Sequence, residues 1–114
     1  MDITLRQIVN REGKVLIIFK VDQSCNLAPY ILFCSDKDVT KQNSNSRRIS
    51  FFFPNQNVNI GDYVAIYISE GDSNSFKNKL GSTTWVYYWG MVDDFWSRSD
   101  KEVALVKVEE YKVY

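Results

Sequence analysis

Short runs of β-branched and aromatic residues, separated by polar clusters, constrain the fold of this chain more than any other feature. No long stretch follows the helical period of 3.6 residues. Val, Ile, Tyr, Phe and Trp suit the pleated, half-buried surface of a sheet. The candidate strands are 3–9, 14–21, 30–34, 47–53, 62–69, 83–89 and 102–108, the last of which "YKVY" could continue. This pattern predicts an all-β fold of about seven strands with little or no helix.

The polar clusters predict how the strands connect. "NREG" (10–13) places Asn and Gly between the first two strands, which favours a tight hairpin. The Ser- and Asn-rich segments 35–46 and 70–82 are long enough to be surface loops. Pro54 has no amide hydrogen to give to a ladder, so the strand before it is expected to end at Phe53. We therefore expect one domain over 1–114, built as a β-sandwich, with a small β-barrel as the alternative.

Charge and apolar content limit the partners of the chain. Lys plus Arg and Asp plus Glu are 14 each among 114 residues, so no net field attracts nucleic acid or an anionic membrane. No apolar run approaches the roughly 18 residues of a membrane helix, and the first residues do not resemble an export signal. These features predict a cytoplasmic protein, with a processed secreted form left open. Cys25 and Cys34 are expected to be reduced, partly buried thiols, although one bridge would be possible in a secreted chain.

The segment "RRISFFFPNQNVNIGDYVAIYISEG" (47–71) combines a strand that ends in Phe-Pro, a loop with an apolar anchor and a Gly-Asp turn before the next strand. Together with "WGMVDDFWSRSDKEVALV" (89–106), it resembles the lamin-tail domain. The matching positions are Phe53, Pro54, Val58, Gly61, Tyr63, Val64, Tyr67, Trp96, Asp100, Val103 and Leu105. The resemblance implies an immunoglobulin-like sandwich, similar to a small stand-alone bacterial or phage-type variant. It also implies a non-catalytic module for protein or nucleic-acid contact.

The residues that could carry chemistry are few. Histidine is absent, which removes the Ser-His, Cys-His and His-ligand constellations. Asp93 and Asp94 are adjacent and point to opposite faces of an extended strand, so they form a dyad only if the chain turns between them. The oxygen-rich segments "SDKD" and "EGDSN" do not match a calcium-binding loop. We expect no cofactor, no metal and no enzymatic activity, with a carboxylate-based hydrolase as the rival hypothesis.

The stretch 83–89 holds the densest aromatic cluster. In an extended strand, Trp85, Tyr87 and Trp89 share one face, while Val86 and Tyr88 share the other. A sandwich strand buries one face, and a monomer rarely exposes a tryptophan stripe. We therefore expect the tryptophan face to point inward and Tyr88 to lie outside, as a candidate contact residue.

These patterns predict an interaction module that binds a protein partner through aromatic and loop surface. Phe76 is expected at the apex of the loop 70–82 as the preferred contact point. The candidate binding residues are Phe76, Lys77, Lys79, Tyr88, Arg47 and Arg48. A weak single-stranded nucleic-acid or carbohydrate binder is the alternative. The chain is expected to be a monomer or a weak homodimer, with any dimer built on the Tyr88 face.

Overall fold

The computed structural model describes residues 1–11, 14–36, 48–91 and 101–114. Within these ranges every regular element is a strand, which confirms the all-β prediction. The ten strands are β1 (Ile3–Arg11), β2 (Lys14–Val21), β3 (Cys25–Asn26), β4 (Tyr30–Asp36), β5 (Arg48–Phe52), β6 (Asn57–Val58), β7 (Tyr63–Tyr67), β8 (Asn74–Lys77), β9 (Thr83–Tyr88) and β10 (Lys101–Lys107).

The strands fall into two compact units. Among the described residues, the first unit comprises 1–11, 14–25 and 57–91, and the second comprises 26–36, 48–56 and 101–114. The first contains an open five-stranded sheet in the order β1-β2-β7-β9-β8, and the second a three-stranded sheet in the order β10-β4-β5. Neither sheet closes on itself. The described strands therefore form open sheets, as in a β-sandwich, and not a β-barrel. No helix in the described ranges is long and apolar enough to cross a membrane.

The five-stranded sheet mixes antiparallel and parallel pairing. β1 and β2 pair antiparallel with Arg11 opposite Lys14, which confirms the predicted hairpin, although its turn residues lie outside the described ranges. β7 pairs antiparallel with β2 and parallel with β9. A parallel pair needs a long crossover connection, and residues 68–82 supply it. β8 lies within this connection and pairs with β9, so the prediction of a plain loop over 70–82 was wrong in its middle.

The core of the first unit lies on one face of this sheet. On β2 the alternate residues Val15, Ile17, Phe19 and Val21 are at most 3% exposed. Ile3, Val64 and Ile66 from the neighbouring strands are buried as well. Each such side chain contributes roughly 1.5–3 kcal/mol when it leaves water.

The second unit is organised around β4. Its alternate residues Tyr30, Leu32 and Cys34 are fully buried, and Phe53 packs edge-on against Tyr30 at a centroid distance of 6.4 Å. The strand before Pro54 ends at Phe52, one residue earlier than expected. Cys25 is half-buried and Cys34 is buried, and no disulfide joins them.

Candidate functional site

The second face of the five-stranded sheet is also apolar, and it is open. Its side chains alternate with those of the core and surround a concavity of about 400 Å³. We call this surface the concave face. It is lined by Arg6, Gln7, Leu16, Ile18, Tyr63, Ala65, Tyr67, Phe76, Thr84 and Val86. All of these residues belong to the first unit.

The strand register gives the concave face the shape of a trough that runs across the strands. One row of directly paired residues crosses the sheet, in the order Gln7, Ile18, Ala65, Val86 and Asn74. This row is the floor, and its central side chain is only a methyl group. Four inter-strand spacings of about 4.8 Å make the floor roughly 19 Å long.

Bulkier residues form the two walls of the trough. Tyr63 and Tyr67 stand two residues to either side of Ala65 on β7, about 7 Å from it along the strand. Phe76 is paired with Thr84 and extends the wall that begins at Tyr63. The small Ala65 side chain between two tyrosines therefore accounts for the depth of the concavity.

The wall at Tyr67 is held in place by stacking. The Tyr67 and Tyr88 rings lie almost parallel, at 15°, with their centroids 5.2 Å apart. The backbone at Gly71 approaches the Tyr88 ring so closely that a Cβ atom there would lie 2.4 Å from Cε1. Glycine is therefore needed at this position for the ring to remain where it is.

A β-bulge places two polar side chains at one end of the trough. Leu5 pairs with Phe19 and Gln7 pairs with Ile18, so Arg6 is an extra residue in β1. In a regular strand Arg6 and Gln7 would point to opposite faces, but both line the concave face. Their side chains make no hydrogen bond or ion pair with any described residue. Among the described residues, nothing competes with a ligand for the guanidinium or the amide.

Asp62 is the buried charged residue of the first unit's described part, and its role is structural. Its Oδ2 accepts hydrogen bonds from the Asn59 amide at 2.9 Å and the Trp85 indole at 3.0 Å, and its Oδ1 accepts one from the Thr83 amide at 3.0 Å. Burial acts to raise the pKa of this carboxyl, but the three hydrogen bonds outweigh it and lower the pKa below 3.8. An ionised carboxylate with these partners ties the turn before β7 to β9 and does not act as a general acid.

The structure places two of the predicted binding residues on the same side of one sheet, at opposite walls of the trough. Phe76 is 52% exposed and Tyr88 is half-buried, and both lie on the side of the sheet that forms the concave face. Phe76 lies in β8 and not at a loop apex, contrary to expectation. Lys77 follows it in the strand and points to the opposite side, and Lys79 lies exposed in the next turn. Neither lysine lines the concave face.

Other predicted residues are not placed on this face. Arg48 is the first residue of β5, in the second unit, and its side chain is not described. Arg47, Asp93 and Asp94 lie outside the described residues, as do Trp96 and Asp100. The hydrolase hypothesis and part of the lamin-tail match therefore stay predictions.

The expected orientation of the aromatic strand is found in β9, with one difference. Tyr87 is buried on the core side, and burial raises the pKa of its hydroxyl to about 12. Trp85 is half-buried on the same side, where its indole donates a hydrogen bond to Asp62. Trp89 is half-buried just beyond the end of the strand. Val86 on the other side is also buried, because it forms part of the trough floor.

Of the ten residues that line the concave face, nine were not among the predicted binding residues, including Arg6, Gln7, Leu16 and Ile18. A signal for the last two exists in "VLIIF", an uninterrupted apolar run within β2. Such a run indicates a strand that is covered on both faces, not one that alternates between core and water. The bulge that turns Arg6 toward the concave face leaves no comparable mark in the sequence.

Within the described part of the chain, no group of three or more His, Cys, Asp or Glu residues is arranged to hold a metal ion. No protein-family model matches the sequence, and no curated protein matches it. The functional interpretation therefore depends on the geometry of the concave face.

Proposed function

We propose that this chain is a non-catalytic binding module that holds an extended segment of a protein partner in the trough of the concave face. The observation that carries the proposal is the floor of Ile18, Ala65 and Val86, an apolar row at the centre of an open sheet face. Apolar anchors that enter such a recess supply most of the binding energy in protein interfaces.

The lining of the trough favours a peptide over a sugar or a nucleic acid. Sugar hydroxyls would lose their hydrogen bonds to water over an aliphatic floor, and that loss is costly. Single-stranded nucleic acid needs a track of cations along its backbone, whereas Arg6 is the one cation among the described lining residues. In a peptide, an apolar side chain suits the floor of the trough, and the backbone beside it can form hydrogen bonds at the polar end.

We further propose that the whole chain is an immunoglobulin-like domain related to the lamin tail. Open sheets and the matching residues at Phe53, Gly61 and Tyr63 support this proposal. We also propose a cytoplasmic location, in keeping with two cysteines that no disulfide joins.

Two exposed apolar residues provide a matched test of the binding face. Phe76 lines the trough, while Leu80 lies off it and is more exposed, at 77%. A partner captured from source lysate is purified and titrated against the Phe76→Ser and Leu80→Ser variants by calorimetry. We expect Phe76→Ser to weaken binding about tenfold, which corresponds to about 1.4 kcal/mol, and Leu80→Ser to leave it unchanged.

Chemical-shift mapping identifies where the partner binds. We expect the largest changes at the amides of Ile18, Ala65 and Val86. Equal affinity of both serine variants, or changes that avoid these amides, would rule out the concave face. A turnover of ester, phosphoester or glycoside that disappears in Asp93→Asn or Asp94→Asn would instead establish the hydrolase.

A further inference from the structure

The segment that follows β10 leaves large apolar side chains in water. Residues 109–114, which we call the tail, are exposed throughout. Tyr111 and Val113 are 75% and 82% exposed, and Tyr114 is fully exposed. Exposed apolar side chains of this size are available as anchors for a second molecule.

The tail and the concave face have complementary chemistry. Successive side chains of an extended chain alternate, so Glu109, Tyr111 and Val113 share one side of an extended tail. The trough presents Arg6 at one end, followed by the apolar floor. A carboxylate followed by two apolar side chains therefore meets a free guanidinium followed by an apolar row.

The dimensions agree as well. The four steps from Glu109 to Val113 span roughly 13 Å at about 3.3 Å per residue, which fits within a floor of roughly 19 Å. With Glu109 at Arg6 on β1, Tyr111 falls near β2 and β7, and Val113 falls near β9. The two apolar side chains then lie over Ile18 and Val86.

We propose that the tail of a second copy of this chain occupies the trough, with Glu109 paired to Arg6 and with Tyr111 and Val113 on the floor. The proposal uses the face assigned under the proposed function and names one occupant for it. Because each copy has one tail and one trough, this contact either is made reciprocally in a closed dimer or continues head to tail from copy to copy.

Charge reversal tests the pairing in the full-length chain. Sedimentation equilibrium over a concentration series is expected to show association of the wild type. Arg6→Glu and Glu109→Arg should each raise the dissociation constant at least tenfold, and the double variant should recover most of the wild-type value. Glu110→Arg and Lys79→Glu are matched controls, because these residues do not face the trough, and should change it less than threefold.

A neutral substitution tests the apolar part of the contact. Val113→Ser should weaken association at least fivefold, whereas Tyr114→Ser, on the other side of the tail, should have little effect. Both residues follow β10 and are exposed, so neither variant should alter the thermal unfolding of the chain.

Three results would overturn the proposal: a wild-type chain that is monomeric at all concentrations, association that survives both charge reversals, or equal effects at positions 109 and 110. If the chain is monomeric and yet a partner protein binds in a manner that depends on Phe76, the proposed function holds and the tail assignment fails. If association follows the charge pattern but no other protein binds, the trough serves self-association alone.

Discussion

The two faces of β2 differ in how fully the described residues bury their side chains. Ile17 is fully buried on the core face, whereas its neighbour Ile18 is half-buried on the floor of the trough. Both faces are apolar, but the described residues bury the β2 side chains more fully on the first. Folding accounts for Ile17, and the binding proposed at the trough would account for an apolar side chain at Ile18.

The largest expected effect separates these two neighbours. Ile17→Ala removes fully buried methylenes and leaves a cavity, so the free energy of unfolding should fall by about 2–5 kcal/mol. Ile18→Ala removes atoms that water already reaches, and its cost should be about 1 kcal/mol or less. Urea unfolding of both variants measures the difference. Equal losses would mean that the concave face is part of the folding core.

The next effect concerns the buried carboxylate of Asp62. Asp62→Asn replaces a charge that accepts three hydrogen bonds, and should cost about 2 kcal/mol at pH 7. The pKa of this carboxyl is lower in the folded chain than its unfolded value of 3.8. Its ionisation therefore stabilises the fold above pH 3.8, and this contribution is lost as the pH falls through the folded pKa.

Stability measured at pH 7 and again at pH 3 and below checks this dependence. The difference in the free energy of unfolding between wild type and Asp62→Asn should become smaller in acid. The exposed residue Asp72 offers a matched control, since Asp72→Asn should leave stability nearly unchanged at every pH. A gap that stays constant across the range would contradict the assignment.

The smallest effect tests the wall of the trough. Gly71→Ala forces the Tyr88 ring to move, and the strain should cost about 1 kcal/mol. With Tyr88→Ala already present, the same change should cost much less, so a double-mutant cycle isolates the contact. Additive losses would show that Gly71 does not position the ring. The single variant should also weaken binding at the trough, because Tyr67 would lose its stacked partner.

The fold was predictable where apolar runs are long. β2 was predicted at its observed bounds, because eight residues of "KVLIIFKV" leave no other choice of element. β8 was missed because its four residues, "NSFK", are polar apart from Phe76 and are all exposed. Its pairing depends on the crossover between β7 and β9, which is a property of tertiary structure.

The site was predictable in part for a related reason. Phe76 and Tyr88 were found because an aromatic side chain among polar residues, or opposite a core face, stands out in a sequence. Lys77 and Lys79 were selected as cations of the expected loop 70–82, but position along the chain does not determine which face a side chain joins. Arg6 was missed because a bulge depends on the register of two strands and not on residue type.

The bulge in β1 also determines what cannot attach to this sheet. β1 is an edge strand of nine residues, long enough to serve as a template for another strand. The extra residue at Arg6 interrupts the even spacing of its outward amide and carbonyl groups, so an incoming strand loses register there. One residue, Arg6, therefore both interrupts the regular edge of β1 and supplies the positive charge that lines the trough.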